Sequence, residues 1–148
     1  MVQAALKIVL EPVCEADMLP CSFGLRPRRG AHDALQVLVD EAWRVRRWVV
    51  ETDIANRFEA IPIEKLVQAV EERVCDRSVL KLLCAMLRAG LMEGGQVRRP
   101  VTGTPQGGVI SPLLANIYRH RVDRAWDMRR HGVLVRYARR RGGDVCYP

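Results

Sequence analysis

Gly103-Thr-Pro-Gln-Gly-Gly-Val-Ile-Ser-Pro-Leu-Leu-Ala-Asn-Ile-Tyr118 joins a rigid Gly/Pro loop to the start of an amphipathic helix. Gly107 and Gly108 let backbone approach a flat or phosphorylated ligand closely, and Gln106 can hydrogen-bond a base edge or a phosphate. Ser111 followed by Pro112 predicts an N-cap with proline at the first helical position. The spacing turns Leu114, Ile117, Tyr118, Val122, Ala125 and Trp126 toward the inner side of that helix. Taken alone, such a loop is a tight turn before a helix; its surroundings decide what it means.

Downstream, Gly132-Val-Leu-Val-Arg-Tyr137 predicts a last strand, and the Arg-Arg-Arg-Gly-Gly-Asp that follows Ala138 has no β character. Upstream, Leu91 to Val97 reads as a hairpin turning at Gly94-Gly95. Ser78 is expected to cap a helix over 79–89 that is apolar nearly all round and therefore buried. Ile61-Pro62 leads into a helix carrying Leu66, Val67, Val70 and Val74 on one side. Trp48 to Ile54 is a short β-prone run that places Asp53 near a strand end. Ala31, Ala34, Leu35, Leu38, Val39 and Ala42 recur at helical spacing, and Glu11 to Gly30, punctuated by Pro12, Pro20, Gly24 and Pro27, reads as loop. Strands separated by helices in this order predict an α+β or α/β layered unit.

With 148 residues, 49% of them apolar, the chain can bury one ordinary core, so one domain or part of one is expected. It contains neither an apolar run of membrane-spanning length nor a signal-peptide pattern. Five cysteines without a C-x-x-C pair read as reduced thiols of a cytoplasmic protein and argue against a zinc site. The net charge of +7 is local. Nine arginines and two aspartates between Arg119 and Arg141 account for all of it, which predicts either a surface facing nucleic acid or a solvated helix face.

Four blocks occur in order: Pro20-Cys-Ser-Phe-Gly-Leu-Arg-Pro-Arg-Arg-Gly-Ala-His-Asp-Ala34, Asp53-Ile with Phe58, Gly103 to Tyr118, and Arg136-Tyr-Ala138. Together they resemble the reverse transcriptases encoded by group II introns, which combine RNA-directed DNA polymerase with maturase activity. The resemblance implies part of a right-hand polymerase without its thumb, with fingers over 1–47 and palm over 48–148, truncated at both ends. It implies that Asp53 is the first catalytic aspartate, holding Mg²⁺ with further acids for in-line nucleotidyl transfer. Phe58 matches the residue under the sugar that rejects a 2′-hydroxyl, and Gln106 and Gly107 match the loop touching nucleotide and template–primer. Arg26 and Arg28 fall in the fingers block that grips template or triphosphate. RNA and a DNA primer are the implied partners; no membrane is.

Four positions depart from the family pattern. Arg57 and Glu59 are tolerable. Arg139 and Arg140 are not, because they stand where the Tyr-Ala-Asp-Asp motif has its acids, and two guanidinium groups repel Mg²⁺. Asp144 lies across Gly142-Gly143 and is a poor substitute, while Asp33 and Asp123 are expected to be exposed or capping. The chain is therefore expected to be inactive. The tail suggests how the acids were lost. Arg139 to Pro148 can be encoded as CGA CGA CGC GGT GGT GAT GTG TGC TAC CC, and one base later this reads Asp-Asp-Ala-Val-Val-Met-Cys-Ala-Thr. A one-base frameshift near Ala138 is the expectation, in the genome or in the sequencing. The alternatives are a non-catalytic RNA-binding module, in which basic helix 119–130 grips phosphates, and a decayed frame without function.

Overall fold

The computed structural model describes residues 1–44, 48–52, 61–89, 91–93, 96–98 and 108–137. The chain forms two compact units, Met1–Asp17 with Asn56–Arg119, and Met18–Ala55 with His120–Pro148.

In the first unit, α1 (Val2–Asp17) buries Leu6, Leu10 and Cys14 at helical spacing. The helix runs through Pro12, so the loop expected from Glu11 begins only after Asp17. Pro12 lies on the exposed side with Ile8, Val9 and Val13, where water can reach the carbonyl that loses its partner. Helix α2 (Ala31–Trp43) belongs to the second unit. Helix α3 (Ile63–Glu71) buries Ile63, Leu66, Ala69 and Val70, leaving Val67 half-buried and Val74 beyond its end. Helix α4 (Arg77–Arg88) packs on α3 and α1. Its cap is Asp76, whose carboxylate accepts from Ser78 N at 2.7 Å and Val79 N at 3.2 Å. Ser78, the expected cap, sits inside the first turn. Only one face of α4 is buried, through Leu83 and Leu87; Leu82 is 46% exposed. Its apolar composition overstated its burial.

The expected hairpin is present. Strand β1 (Leu91–Glu93) pairs antiparallel with β2 (Gln96–Arg98) in the register Leu91↔Arg98, Met92↔Val97, Glu93↔Gln96. Gly94 and Gly95 lie outside the described residues. Helix α5 (Ser111–Ala125) starts one residue before the expected position: Ser111 is already helical and Leu114 N donates to Ile110 O at 3.1 Å. The division between the units falls within α5, after Arg119.

In the second unit, α2 is entered through Gly30, whose N–H donates to the Asp33 carboxylate at 2.7 Å, so Asp33 caps as expected. Its inner positions are Ala34, Val37 and Leu38, while Leu35 and Val39 face out. The helix is rotated from the expected face because Ala34 meets Phe23 and Val135. Residues 48–52 have no regular structure, and Trp48, Val49 and Val50 are exposed, so the β-prone run does not form a strand there. Asp127 caps the short α6 (Met128–His131), and Trp126 Nε1 donates to Gly132 O at 2.9 Å. The expected strand over 132–137 is reduced to one parallel bridge, Ser22↔Arg136. Among the described residues the architecture is mostly helical, with β structure confined to the hairpin and this bridge.

Candidate functional site

The residues expected to carry chemistry divide sharply. Asp53, Phe58, Gln106, Gly107, Arg139 and Arg140 lie outside the described residues. Arg26, Arg28 and the approach to Tyr137-Ala138 lie within them, all in the second unit.

The loop after α1 is braced by its own arginines. Arg26 Nη1 donates to Leu19 O at 2.9 Å and to Ser22 O at 2.8 Å. Arg29 Nη1 donates to Pro20 O, and its guanidinium carbon lies 5.2 Å from the Phe23 ring centroid, within cation–π range. Leu25 and Arg28 adopt φ of 58° and 60°, the left-handed region that side chains with a Cβ seldom enter. Such strain persists only where surroundings enforce it, and here the two hooked arginines do so. Arg28 points into solvent from this loop.

Ser22 and Phe23 then meet the segment entering Tyr137. Arg136 N donates to Cys21 O at 2.7 Å and Phe23 N to Arg136 O at 2.8 Å. Within this bridge the Arg136 side chain turns inward. Its Nε donates to Asp123 Oδ1 at 2.9 Å, and Nη2 donates to Oδ2 at 2.8 Å and to Ser22 Oγ at 2.6 Å. The pair is nearly sealed from water, with side-chain exposure of 5% for Arg136 and 0% for Asp123. A two-pronged pairing is what a planar guanidinium offers a carboxylate and an ammonium does not.

This cluster corrects two expectations. Asp123, expected to be exposed or capping, is a buried counter-ion. Arg119 and Arg136, counted in the basic surface, are buried at 5% and 4% exposure. Among the described residues of that stretch, Arg124, Arg129 and Arg130 are the exposed arginines. The inner face of α5 is also turned from its expected direction: Val122 is 57% exposed, while Asn116, His120 and Asp123 are buried. A stripe of polar residues at 116, 120 and 123 follows helical spacing and was the available signal. Hydrophobicity alone passes over it, because it scores Val122 above Asp123.

Each unit also buries a thiol. Cys14 in the first unit and Cys21 in the second are both pushed up to about 11. Burial is the main cause in each; Arg73 opposes it at Cys14, and at Cys21 Asp123 adds to it while Arg136 opposes.

A pair of divalent ions needs several carboxylate oxygens. The expected positions supply one carboxylate, Asp53, and two guanidiniums, Arg139 and Arg140. Among the described residues the buried carboxylate, Asp123, is already engaged by Arg136. Those expected positions, one carboxylate and two guanidiniums, do not make up the donor set of a metal pair. No group of three His, Cys, Asp or Glu among the described residues is arranged to hold a metal ion, and no described helix is long and apolar enough to cross a membrane.

The loop, the bridge and the α5 helix lie in a region with a known family signature: residues 1–138 match the reverse transcriptase (RNA-dependent DNA polymerase) family, and the chain belongs to it. Within that family it is similar to a group II intron-encoded protein, among others. It is 38% identical over 124 residues to the group II intron-encoded protein LtrA of Lactococcus lactis, covering 84% of this chain and 20% of that protein. Protein YkfC of Escherichia coli is 37% identical over 126 residues, covering 82% of this chain and 33% of YkfC. Nuclear intron maturase 4 of Arabidopsis thaliana is 33% identical over 125 residues, covering 82% of this chain and 15% of the maturase. The chain thus spans only a minor part of the length of these relatives.

Proposed function

We propose that the chain is the fingers–palm portion of a group II intron-type reverse transcriptase whose second catalytic acid pair has been lost, and that it does not polymerise as it stands. The carrying observation is the family match over residues 1–138, which stops where Arg139 and Arg140 replace the acids. In this reading 1–47 belong to the fingers and 48–148 to the palm of a right-hand polymerase. Asp53 is the remaining metal-binding acid, Phe58 lies under the nucleotide sugar, and Gln106 and Gly107 face nucleotide and template–primer. Arg26 and Arg28 serve the template or triphosphate: Arg26 braces the loop through two carbonyls, and Arg28 offers an exposed guanidinium. Mg²⁺ is the ion of the intact site, and its binding is impaired here by the two guanidiniums. The partners are an RNA template or intron RNA and a DNA primer, in the cytoplasm, where the free thiols of Cys14, Cys21, Cys75 and Cys84 would stay reduced.

The loss of the acids is a one-base frameshift near Ala138. The DNA across codons 136–148 tests it directly: codons from 139 on should spell Asp-Asp and an apolar strand in a neighbouring frame. Primer extension on an RNA template tests inactivity. Extension by the chain above that of an Asp53→Ala control would overturn it.

A second reading, a non-catalytic RNA-binding module, is favoured by exposed Arg124, Arg129 and Arg130, though without Arg119. Intron RNA should then bind more tightly than a charge-matched polymer, with an affinity that falls steeply with salt. Equal affinities would leave only nonspecific attraction.

A further inference from the structure

The bridge at Arg136 raises a question that its backbone cannot answer. The two backbone hydrogen bonds joining Cys21 and Phe23 to Arg136 would be the same for any residue but proline placed there. Neighbouring Leu134 and Val135 are both buried and apolar, so burial alone chooses weakly between registers. The side chain does choose. With Arg136 shifted along the bridge, Leu134, Val135 or Tyr137 would face Asp123, and a fully buried carboxylate would lose its counter-ion.

We infer that Arg136, held by Asp123 and Ser22, is a positioning residue that sets the register of the segment entering Tyr137. The consequence for a catalytic site rests on the reading of Tyr137-Ala138 given above; the register itself does not. A slip of one residue moves every following position by about 3.3 Å and turns each side chain to the opposite face. A site that depends on 139–140 does not survive an error of that size. The ion pair is therefore assigned to specificity of register more than to stability. Ser22 extends the device to the loop braced by Arg26 and Arg29, since Arg26 holds the Ser22 carbonyl while Arg136 holds its hydroxyl. Tyr137, which packs against the Phe23–Ala34–Val135 cluster, is the first residue to feel the setting.

Amide hydrogen exchange on the full chain tests this. The informative variant is the double replacement Arg136→Met with Asp123→Leu, because an apolar pair of similar volume often substitutes for a buried ion pair without loss of stability. Cooperative melting near the wild-type Tm is expected, with amides 23 and 136 exchanging at least about tenfold faster and those of α2 unchanged. Unchanged protection at 23 and 136, or an equal change at every amide, would overturn the inference. If the double variant fails to melt cooperatively, Arg136→Lys decides. It keeps the charge but loses the two-pronged pairing, and faster exchange confined to 23 and 136 supports the positioning role, while a wild-type pattern refutes it. Codons that do not restore the acid pair would defeat the proposed function and leave this amide result standing. The amides can equally fail while the codons restore the pair.

Discussion

The packing of α1, α3 and α4 can be set beside the surroundings of Arg136. In the first, Leu6, Leu10, Leu66, Val70, Leu83 and Leu87 supply the interior, and its ion pair keeps one partner in water. There Arg73 reaches Asp17 at 2.9 Å while the aspartate remains 53% exposed. In the second, the Phe23–Ala34–Val135 cluster shares its unit with an ion pair almost without water. Apolar packing is non-directional, and cores of this kind tolerate exchange among side chains of similar volume. A buried ion pair is directional and punishes the loss of either partner, yet its net contribution over an apolar pair is small. One region is specified by volume, the other by geometry.

The strongest way to break that contrast is Arg136→Met alone. It strands Asp123 in the interior and should destabilise the chain by about 3–5 kcal/mol in chemical denaturation. A loss below about 1 kcal/mol would mean that water reaches the carboxylate and the contrast is false. Leu87→Ala probes the other region and should cost about 2–5 kcal/mol through lost burial and the cavity left behind, whereas Leu87→Met should cost under about 1.5 kcal/mol. Equal losses for the two would show that volume is not what specifies the α4 contact.

Each unit also holds a thiol that can be read by pH. Cys14 and Cys21 have folded-state values raised from 9.0 to about 11. Their contribution is therefore complete below pH 9 and is lost as pH rises toward 11, because only the unfolded thiol ionises in that window. Unfolding free energy should fall by about 1.4 kcal/mol per thiol between pH 8 and 10. Cys14→Ala should remove its share of the slope; an unchanged slope would contradict the buried, neutral thiol. The smallest effect is expected at the margin of the apolar region, where Asp76→Ala removes the α4 cap and should cost about 1 kcal/mol, measured as a shift in denaturation midpoint.

Elements with local causes were legible. Helices α2 to α5 follow from apolar spacing, and the hairpin follows from Gly94-Gly95 between short β-prone runs. The errors arose where a distant partner outweighed a local signal. Pro12 suggested a break, but α1 continues because the inner face formed by Leu6, Leu10 and Cys14 is buried while proline's missing hydrogen bond faces water. Val122 looked like an inward residue, but α5 turns Asp123 inward instead, to a guanidinium 13 residues away in sequence. Arg119 and Arg136 looked like part of a basic surface for the same reason: composition counts charges without regard to their partners.

By itself the sequence determined the family, through blocks of residues whose types and order carry over from chain to chain. It also puts guanidiniums at Arg139 and Arg140, where the resemblance implies carboxylates, and no fold can turn one into the other. Tertiary structure alone decided which charges are buried and paired. The Asp123–Arg136 contact needs α5, the loop after α1 and the segment before Tyr137 brought together, and no spacing within one element encodes that meeting. A buried charge is stable only where its partner arrives with the right geometry, and that arrival is a property of the folded chain.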